Sequence, residues 1–411
     1  MKILMVNKFL YPRGGAETYL LKVGRCLSER GHQVEYFGMY DPRNTVGNQT
    51  GQYTFPMDFR GHSPAQLLYP FKILYSLEAR RKMDAVLERF DPDVVHLNNI
   101  NFQLTPSVID AAKKRRSFLV QTVHDYQMVC PNHLLYNLQE EAVCQRCVGG
   151  SPWNCARFCC IHGSRIKSIL GALESCISWG RHSYEKVDAY LCPSRFLEGK
   201  LLERSPIFQG KTRVLRNFIA LPPPEVLAQP TGETPYVVFA GRLSVEKGVA
   251  LLAQAARALP WVTFRVAGRG ELADTLRGIP NVHLEGFLTG APLTRLIAGA
   301  ELALVPSVWY ENCPLSILEA QALGTPVVTV NAGGMAELVE DHITGLLLQE
   351  ATGACLAETL ETALADSQLL AQMRSSCLER RDRMVTLERY CDQLEEIYRQ
   401  GIADVSGRGG E

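Results

Sequence analysis

Arg242 and Lys247 stand five residues apart in Gly241-Arg-Leu-Ser-Val-Glu-Lys-Gly248, a cationic loop leaving the apolar run Tyr236–Ala240. The loop leads into a helical pattern with Leu251, Leu252, Ala255 and Leu259 apolar. A helix start offers unpaired N–H groups and the positive end of a dipole, so two fixed cations there suit a diphosphate. A second segment, Glu311-Asn312-Cys313-Pro314-Leu315-Ser316-Ile317-Leu318-Glu319, follows the apolar run Leu302–Pro306. Pro314 suits a first helical turn, which would leave the N–H groups of Ser316 and Ile317 free. Glu311 in the loop and Glu319 a turn into the helix are then expected to face one crevice, where carboxylates grip ribose or hexose hydroxyls. The flanking Leu315, Leu318, Ala320 and Ala322 predict apolar surroundings for Glu319, so that its carboxylate needs a partner.

The elements that must position these groups alternate between strands and helices. Strand-like runs fall at 3–6, 33–37, 94–97, 118–122 and 189–192, then at 237–240, 263–267, 282–285, 302–305 and 327–330. Helical stretches lie between them, which predicts two α/β, doubly wound, Rossmann-like domains with parallel sheets. The expected boundaries are 1–220, a linker at 221–235 where Leu221-Pro-Pro-Pro-Glu breaks all periodicity, 236–386, and a final helix within 387–411 whose last residues fray. A chain of 411 residues exceeds what one core supports. Its 43 Lys plus Arg balance 43 Asp plus Glu, which argues against a general nucleic-acid binder. No apolar run is long enough to cross a bilayer and residues 1–10 do not form a secretory signal, so the expected place is the cytoplasm or the inner face of the cytoplasmic membrane.

Six of the thirteen cysteines fall between 130 and 160. Cys144-Gln-Arg-Cys147 has metal-knuckle spacing, and Cys155 with Cys159 and Cys160 could complete a tetrahedral thiolate site holding a structural zinc. A disulfide framework, less expected in a cytosolic chain, and a cluster of unligated thiols are the alternatives; a catalytic zinc is not expected, because a closed four-sulfur shell leaves no open position. Cys26, Cys192, Cys313 and Cys377 read as ordinary buried thiols. Asp91-Pro-Asp93 reads as a turn entering a strand rather than a metal motif. His124 and His96 both sit at strand ends, where open α/β sheets place ligands.

The two carboxyl-terminal segments, with Ala267-Gly268-Arg269-Gly270-Glu271 and Gly333-Gly334, resemble the donor domain of family 4 glycosyltransferases. The amino end is similar to the same family's acceptor domain: strand Lys2-Ile-Leu-Met-Val-Asn7, the glycine loop Pro12-Arg-Gly14-Gly15-Ala-Glu17, and a helix from Thr18 to Arg30 closed by Gly31-His32. The resemblance implies a GT-B architecture, two domains facing each other across a cleft, and a retaining, metal-independent transfer. Arg242 and Lys247 would stabilise the leaving diphosphate in place of a metal, and Glu311 and His124 would touch the donor sugar. Gly14, Gly15, Gly241, Gly268, Arg269, Asn312, Pro314, Leu315, Ser316 and Glu319 would form the rest of the donor site. Some family members resemble the insertion at 130–163, with a Cys-Pro-Asn start like Cys130-Pro-Asn132, a CxxC pair, and two further cysteines best matched by Cys155 and Cys160. The last helix would return to the first domain.

The implied reaction moves a hexose-type sugar, hexosyl or N-acetylhexosaminyl, from a UDP- or GDP-sugar to a glycan or lipid-linked glycan acceptor. The acceptor attacks the face the diphosphate leaves, so no protein base is required. One departure bears on the acceptor: Asn217-Phe-Ile-Ala220 lacks the Asp that the family often carries there. Ser63 to Met83, a mixed apolar and basic stretch, and Lys113-Lys-Arg-Arg116 could contact anionic lipid, or could be a core-packed helix and a solvated charge run. A nucleotide-sugar epimerase on the same architecture and a non-catalytic binding protein are the rival readings.

Overall fold

The computed structural model describes residues 1–57, 69–227 and 235–407. The chain divides into two compact units, one of residues 1–140, 144–216 and 387 onward, the other of residues 141–143 and 217–386. Each is built on a six-stranded parallel sheet.

In the first unit the strands are β1 (Lys2–Val6), β2 (Gln33–Phe37), β3 (Val94–Leu97), β4 (Phe118–Thr122), β5 (Ala189–Cys192) and β6 (Thr212–Val214), in the order β2-β1-β3-β4-β5-β6. The central strands are buried along their whole length, which is why they read as continuous apolar runs rather than as alternation. Helix Gly15–Glu29 lays Tyr19, Leu20, Val23 and Leu27 against the core and stops at Gly31, whose φ of 87° turns the chain into β2. The C-terminal helix Leu387–Gly407 packs on the same unit, and Gly401 makes that approach possible: a Cβ there would lie 2.3 Å from the Phe118 ring. A buried polar chain fastens the helix. Tyr398 hydroxyl lies 2.6 Å from His96 Nδ1, Thr122 Oγ1 lies 2.7 Å from His96 Nε2, and Tyr19 hydroxyl bonds both Thr122 and Tyr390.

In the second unit β7 (Tyr236–Ala240), β8 (Thr263–Ala267), β9 (Val282–Gly286), β10 (Leu302–Val305), β11 (Val327–Val330) and β12 (Gly345–Leu348) run in the order β9-β8-β7-β10-β11-β12. The order reverses between β1 and β3 in the first unit and between β7 and β10 in the second. Both carboxyl-end crevices of this kind bind ligands in open α/β sheets.

Several expectations need correction. Helix Gly15–Glu29 begins three residues before Thr18, with Gly14 in extended conformation as its cap. The stretch from Ser63 to Met83 is not one helix: residues 63–68 lie outside the described residues, and the remainder is broken between Tyr69–Leu74 and Leu77–Phe90, where the Ser76 side chain caps the second helix by accepting from Ala79 N. In the basic run, Lys113 pairs with Asp188 at 2.8 Å and Lys114 with Asp84 at 2.9 Å. Asp91, in left-handed conformation, ends the helix before β3, while Asp93 accepts from Lys2 N at 2.7 Å; both are spent on a turn. Of the expected linker, 228–234 lie outside the described residues, as do 408–411 of the tail, and Pro224–Val226 form a 3-10 turn. No helix of the described residues is long and apolar enough to cross a membrane.

Candidate active site

At the switch point of the second unit, β7 and β10 end side by side and their loops carry both motifs. Gly241 N donates to Ala267 O and Leu243 N to Arg269 O, which fastens the loop after β7 to the loop after β8. This closeness demands glycine: a Cβ on Gly268 would lie 1.9 Å from Gly241 O. The loops enclose a cavity of about 610 Å³ whose lining includes Gly241, Arg242, Gly268, Arg269, Ser316 and Glu319. Apolar side chains of β7, β10 and the helix Gly290–Ala298 form its floor. Arg242 and Arg269 are exposed, and the Arg269 guanidinium lies 5.5 Å over the Phe287 ring. Such a cavity, apolar below and cationic above, suits a nucleoside with its phosphates at the charged end.

Lys247 and Glu311 do not line this cavity, nor do Asn312, Pro314 and Leu315. Lys247 ends the 3-10 turn Val245–Lys247 and forms a hydrogen-bonded ion pair with Glu311, which also accepts from the Ser307 hydroxyl at 2.9 Å. Burial pushes the Glu311 carboxyl up, but the Lys247 ammonium and the Ser307 hydroxyl outweigh it and hold the group below its ordinary range. The expectation that Glu311 and Glu319 share one crevice is therefore corrected: Glu311 is buried against Lys247, and Glu319 lines the cavity from an exposed position. Arg242 lies 3.2 Å from Glu246, so the two cations are held by separate carboxylates rather than converging on free amides. Helix Leu315–Ala322 starts one residue after Pro314, and Ile317 N already donates to Pro314 O, which leaves only Ser316 of the two expected amides for a ligand. Phe287, Leu288 and Thr289, at the end of β9, were not expected in the lining; the only trace of them in the sequence is an aromatic residue just beyond a strand end.

Gly248 sets the register between the two motifs. Its φ is 75°, and a Cβ would lie 2.0 Å from Pro306 O at the end of β10; beside it, Val308 N donates to Glu246 O. Gly290 has a similar φ of 59° but open space around it. Gly248→Ala is therefore expected to lower both the thermal midpoint and turnover by far more than Gly290→Ala, which carries only about 1 kcal/mol of backbone strain. Indistinguishable melting and nucleotide-release rates for the two variants would remove the register argument.

In the first unit the corresponding switch point gathers polar groups. Gly14 and Gly15 are exposed at the start of their helix, after β1. His124, just beyond β4, places Nε2 2.9 Å from Asn98 Oδ1 and stacks edge-on to Tyr19 at 5.0 Å. Burial lowers its pKa to about 4, partly opposed by the Asp125 charge, so it is neutral at pH 7. Asp125 Oδ2 lies 3.4 Å from His133 Nδ1, and Asn101 Nδ2 lies 3.3 Å from the same nitrogen. Burial alone would raise the Asp125 carboxyl; His133, the Gln127 N–H and Lys8 bring it below its usual range. Glu174, on helix Arg165–Gly180, is buried close enough to feel both Asp125 and His133, and burial pushes its pKa up. Lys8, His133 and Glu174 were not foreseen, because they come from three separated segments with no shared spacing. His96 is not at a ligand-facing position; it is fully buried in the polar chain described above.

Among the described residues, no three Cys, His, Asp or Glu side chains stand ready to enclose a metal ion, the expected set Cys144, Cys147, Cys155 and Cys160 included. The structure instead packs Cys147, Cys155 and Cys160 in a small buried cluster with Phe158 and Ile161, and leaves Cys144 partly exposed.

Two parallel-sheet α/β domains with ligand crevices at their switch points define a GT-B fold. Solved structures agree over nearly the whole chain. Sucrose-phosphate synthase (tll1590) from Thermosynechococcus elongatus has a TM-score of 0.67 at 19% identity, covering 98% of this chain and 99% of that one. Anabaena Alr3699/HepE in complex with UDP-glucose has a TM-score of 0.66 at 18% identity, covering 97% and 100%. The family described as Glycosyltransferase Family 4 matches residues 13–221, and that described as Glycosyl transferases group 1 matches residues 234–366. The chain belongs to glycosyltransferase family 4 and is a glycosyltransferase. Among its relatives, an uncharacterized 42.6 kDa protein in the cps region of Klebsiella pneumoniae is 24% identical over 82% of this chain and 87% of its own length. Glycogen synthase of Mycobacterium tuberculosis is 34% identical over 54% of this chain and 57% of its own length.

Proposed function

We propose that the protein transfers a hexose-type sugar, hexosyl or N-acetylhexosaminyl, from a nucleoside-diphosphate sugar to a glycan or lipid-linked glycan, with retention of configuration and without a catalytic metal. The carrying observation is the second unit's switch point, where an apolar cavity meets Arg242, Arg269 and Ser316 and the Lys247–Glu311 pair stands close by in sequence on the same loops. The diphosphate leaving group gains charge as the sugar–phosphate bond breaks, so a cation interacts more strongly with the transition state than with the bound donor. Arg242 supplies a planar fork for two phosphate oxygens and Lys247 a movable point charge. Glu311 holds Lys247 until the donor arrives and remains ionised to accept from a sugar hydroxyl. Neutral His124 offers a hydrogen bond to a hydroxyl without adding charge.

UDP-sugars are the first donors to try, since UDP-glucose is bound in the HepE structure. The place of action we propose is the cytoplasm or the inner face of its membrane. The test is a thermal-shift panel of UDP, GDP, ADP and their sugars with chelator and then with magnesium. One nucleotide family should raise the midpoint equally in both; about 100-fold excess over the dissociation constant stabilises by ~2.7 kcal/mol. A shift that needs magnesium would overturn the metal-independent reading, and no shift at saturating donor would overturn the donor assignment.

A further inference from the structure

Glu311 accepts from the Lys247 ammonium and from the Ser307 hydroxyl on the same oxygen, Oε1, which leaves Oε2 for a sugar hydroxyl. Only 11% of its side chain is exposed, so the carboxylate depends on those partners. When the donor binds, the reading above sends Lys247 to the diphosphate. Of the two direct partners, only the Ser307 hydroxyl would then remain on a nearly buried charge. A single neutral hydroxyl is a poor exchange for an ammonium, and a carboxyl that took up a proton would no longer be an anionic acceptor for the sugar.

The fold holds a replacement beside the pair. Trp309, two residues before Glu311, is half-buried, and the Lys247 ammonium lies 5.8 Å from its ring centroid, so that ring, ammonium and carboxylate form one group. The indole N–H is buried and has no partner in hydrogen-bond geometry. A buried donor left in that state is destabilising and calls for a reason. It nevertheless faces Glu311 closely enough to help hold that carboxyl below its ordinary range. The backbone on either side of the ring is clamped. Val308 N donates to Glu246 O at 3.0 Å, Gly334 N donates to Glu311 O at 2.7 Å, and a Cβ on Gly333 would lie 3.1 Å from Tyr310 Cα. The indole is therefore a fixed donor, whereas the lysine is a charge on a flexible stem.

We propose that Trp309 is a positioning residue that takes over Glu311 when Lys247 turns to the diphosphate: the indole N–H then donates to the carboxylate in the ammonium's place. Ser307 and Trp309 together keep the carboxylate ionised and aimed at the sugar, while Lys247 is released to the leaving group. A donor already in position needs little rearrangement at the moment it is used. The inference rests on the reading of Lys247 as the cation of the leaving group.

Trp309→Phe keeps a ring and removes the N–H. It should lower kcat by about 10–100-fold, the worth of one hydrogen bond to a charged group, with little change in the KM of the donor. The acid limb of kcat, which reports the donor complex, should move to higher pH. That of kcat/KM, which reports the free enzyme with Lys247 still on Glu311, should stay in place. The chain has four tryptophans, so nitrogen-15 indole spectra are simple, and the signal missing from Trp309→Phe is that of Trp309. Saturating UDP should move this indole proton downfield. Lys247→Ala should move it the same way at about pH 8 without ligand, and adding Glu311→Gln should return it, because a neutral amide is the weaker acceptor. If Trp309→Phe does not fold, these spectra still decide, since Trp153 and Trp179 belong to the first unit and Trp261 is exposed. An indole signal unmoved by Lys247→Ala, or full kcat in Trp309→Phe, overturns the proposal. It is also overturned if UDP raises the thermal midpoint but leaves the indole signal in place, for Lys247 then stays on Glu311 in the complex. Failure of every nucleotide to raise the midpoint counts against the donor reading alone, and the hand-over then stands or falls with Lys247→Ala.

Discussion

Lys247→Ala is expected to slow sugar transfer by about 10²–10³-fold, the size of effect seen when one preorganised charge is taken from a developing anion, and separately to destabilise the protein by about 2–3 kcal/mol. The second loss arises because Glu311, only 11% exposed at its side chain, would be left buried without its cation. Adding Glu311→Gln to Lys247→Ala should return most of the stability, because the stranded charge is gone, yet none of the turnover. The pH dependence follows from the direction of the Glu311 shift. In the unaltered protein its folded pKa lies below the ordinary 4.5, so the pair stabilises above that value and is lost as pH falls through the folded pKa. In Lys247→Ala burial is no longer opposed, the carboxyl rises, and the stability deficit should shrink below about pH 5 as Glu311 takes up a proton. Denaturation midpoints and nucleotide-release rates for the two single variants and the double variant check this. Recovery of turnover in the double variant would show that Lys247 acts only as a counter-ion to Glu311. Lys247→Arg tests the point-charge role, since a planar fork cannot replace a compact ammonium without moving Ser307 and Glu311.

Most of what the second unit does could be seen in its sequence, because its motifs are local. Arg242 and Lys247 share one loop, Glu311 to Glu319 share another, and continuous apolar runs mark the strands that bring those loops together at a switch point. What could not be read was which groups meet. That Lys247 takes Glu311 while Arg242 takes Glu246 depends on the left-handed Gly248 lying against Pro306, a contact between segments 58 residues apart in sequence. The edge strands β6 and β12 escaped for a different reason: Thr212-Arg-Val is short, polar and partly exposed, and Gly345–Leu348 begins with a residue that disfavours strands, its Cβ-less backbone packed 2.0 Å (to a Cβ position) from Val327 O. The insertion shows the limit most clearly. Spacing singled out Cys144 with Cys147, but fold places Cys130 among the buried thiols and leaves Cys144 at the rim.

His96 reverses the usual inference from a strand-end histidine, and its environment makes a strong prediction about acid. It is fully buried between Tyr398 and Thr122, and burial, with a smaller push from His124, lowers its pKa from 6.5 to about 3. Both ring nitrogens are engaged by hydroxyl groups that can each either donate or accept, so the neutral ring is satisfied and a second proton would have to be accommodated without a carboxylate nearby. The unfolded chain takes up that proton near pH 6.5 and the folded one near pH 3. Stability is therefore fully present above pH 6.5 and falls as pH drops between those values, at a limiting ~1.4 kcal/mol per pH unit for this one group. Between pH 6.5 and 4.5, before most carboxylates titrate, His96 should cost the first unit ~2–3 kcal/mol, with His124 adding to the slope over the same window. His96→Gln, which can still bond both hydroxyls but cannot titrate, is expected to start from a lower stability at pH 7 and to show a flatter profile down to pH 4.5. Urea denaturation at pH 7, 6 and 5 measures both slopes. Equal slopes in the two proteins would mean that the ring is not excluded from water, and with that the polar chain from Tyr19 through Thr122 to Tyr398 could not be what fastens the C-terminal helix to β3 and β4.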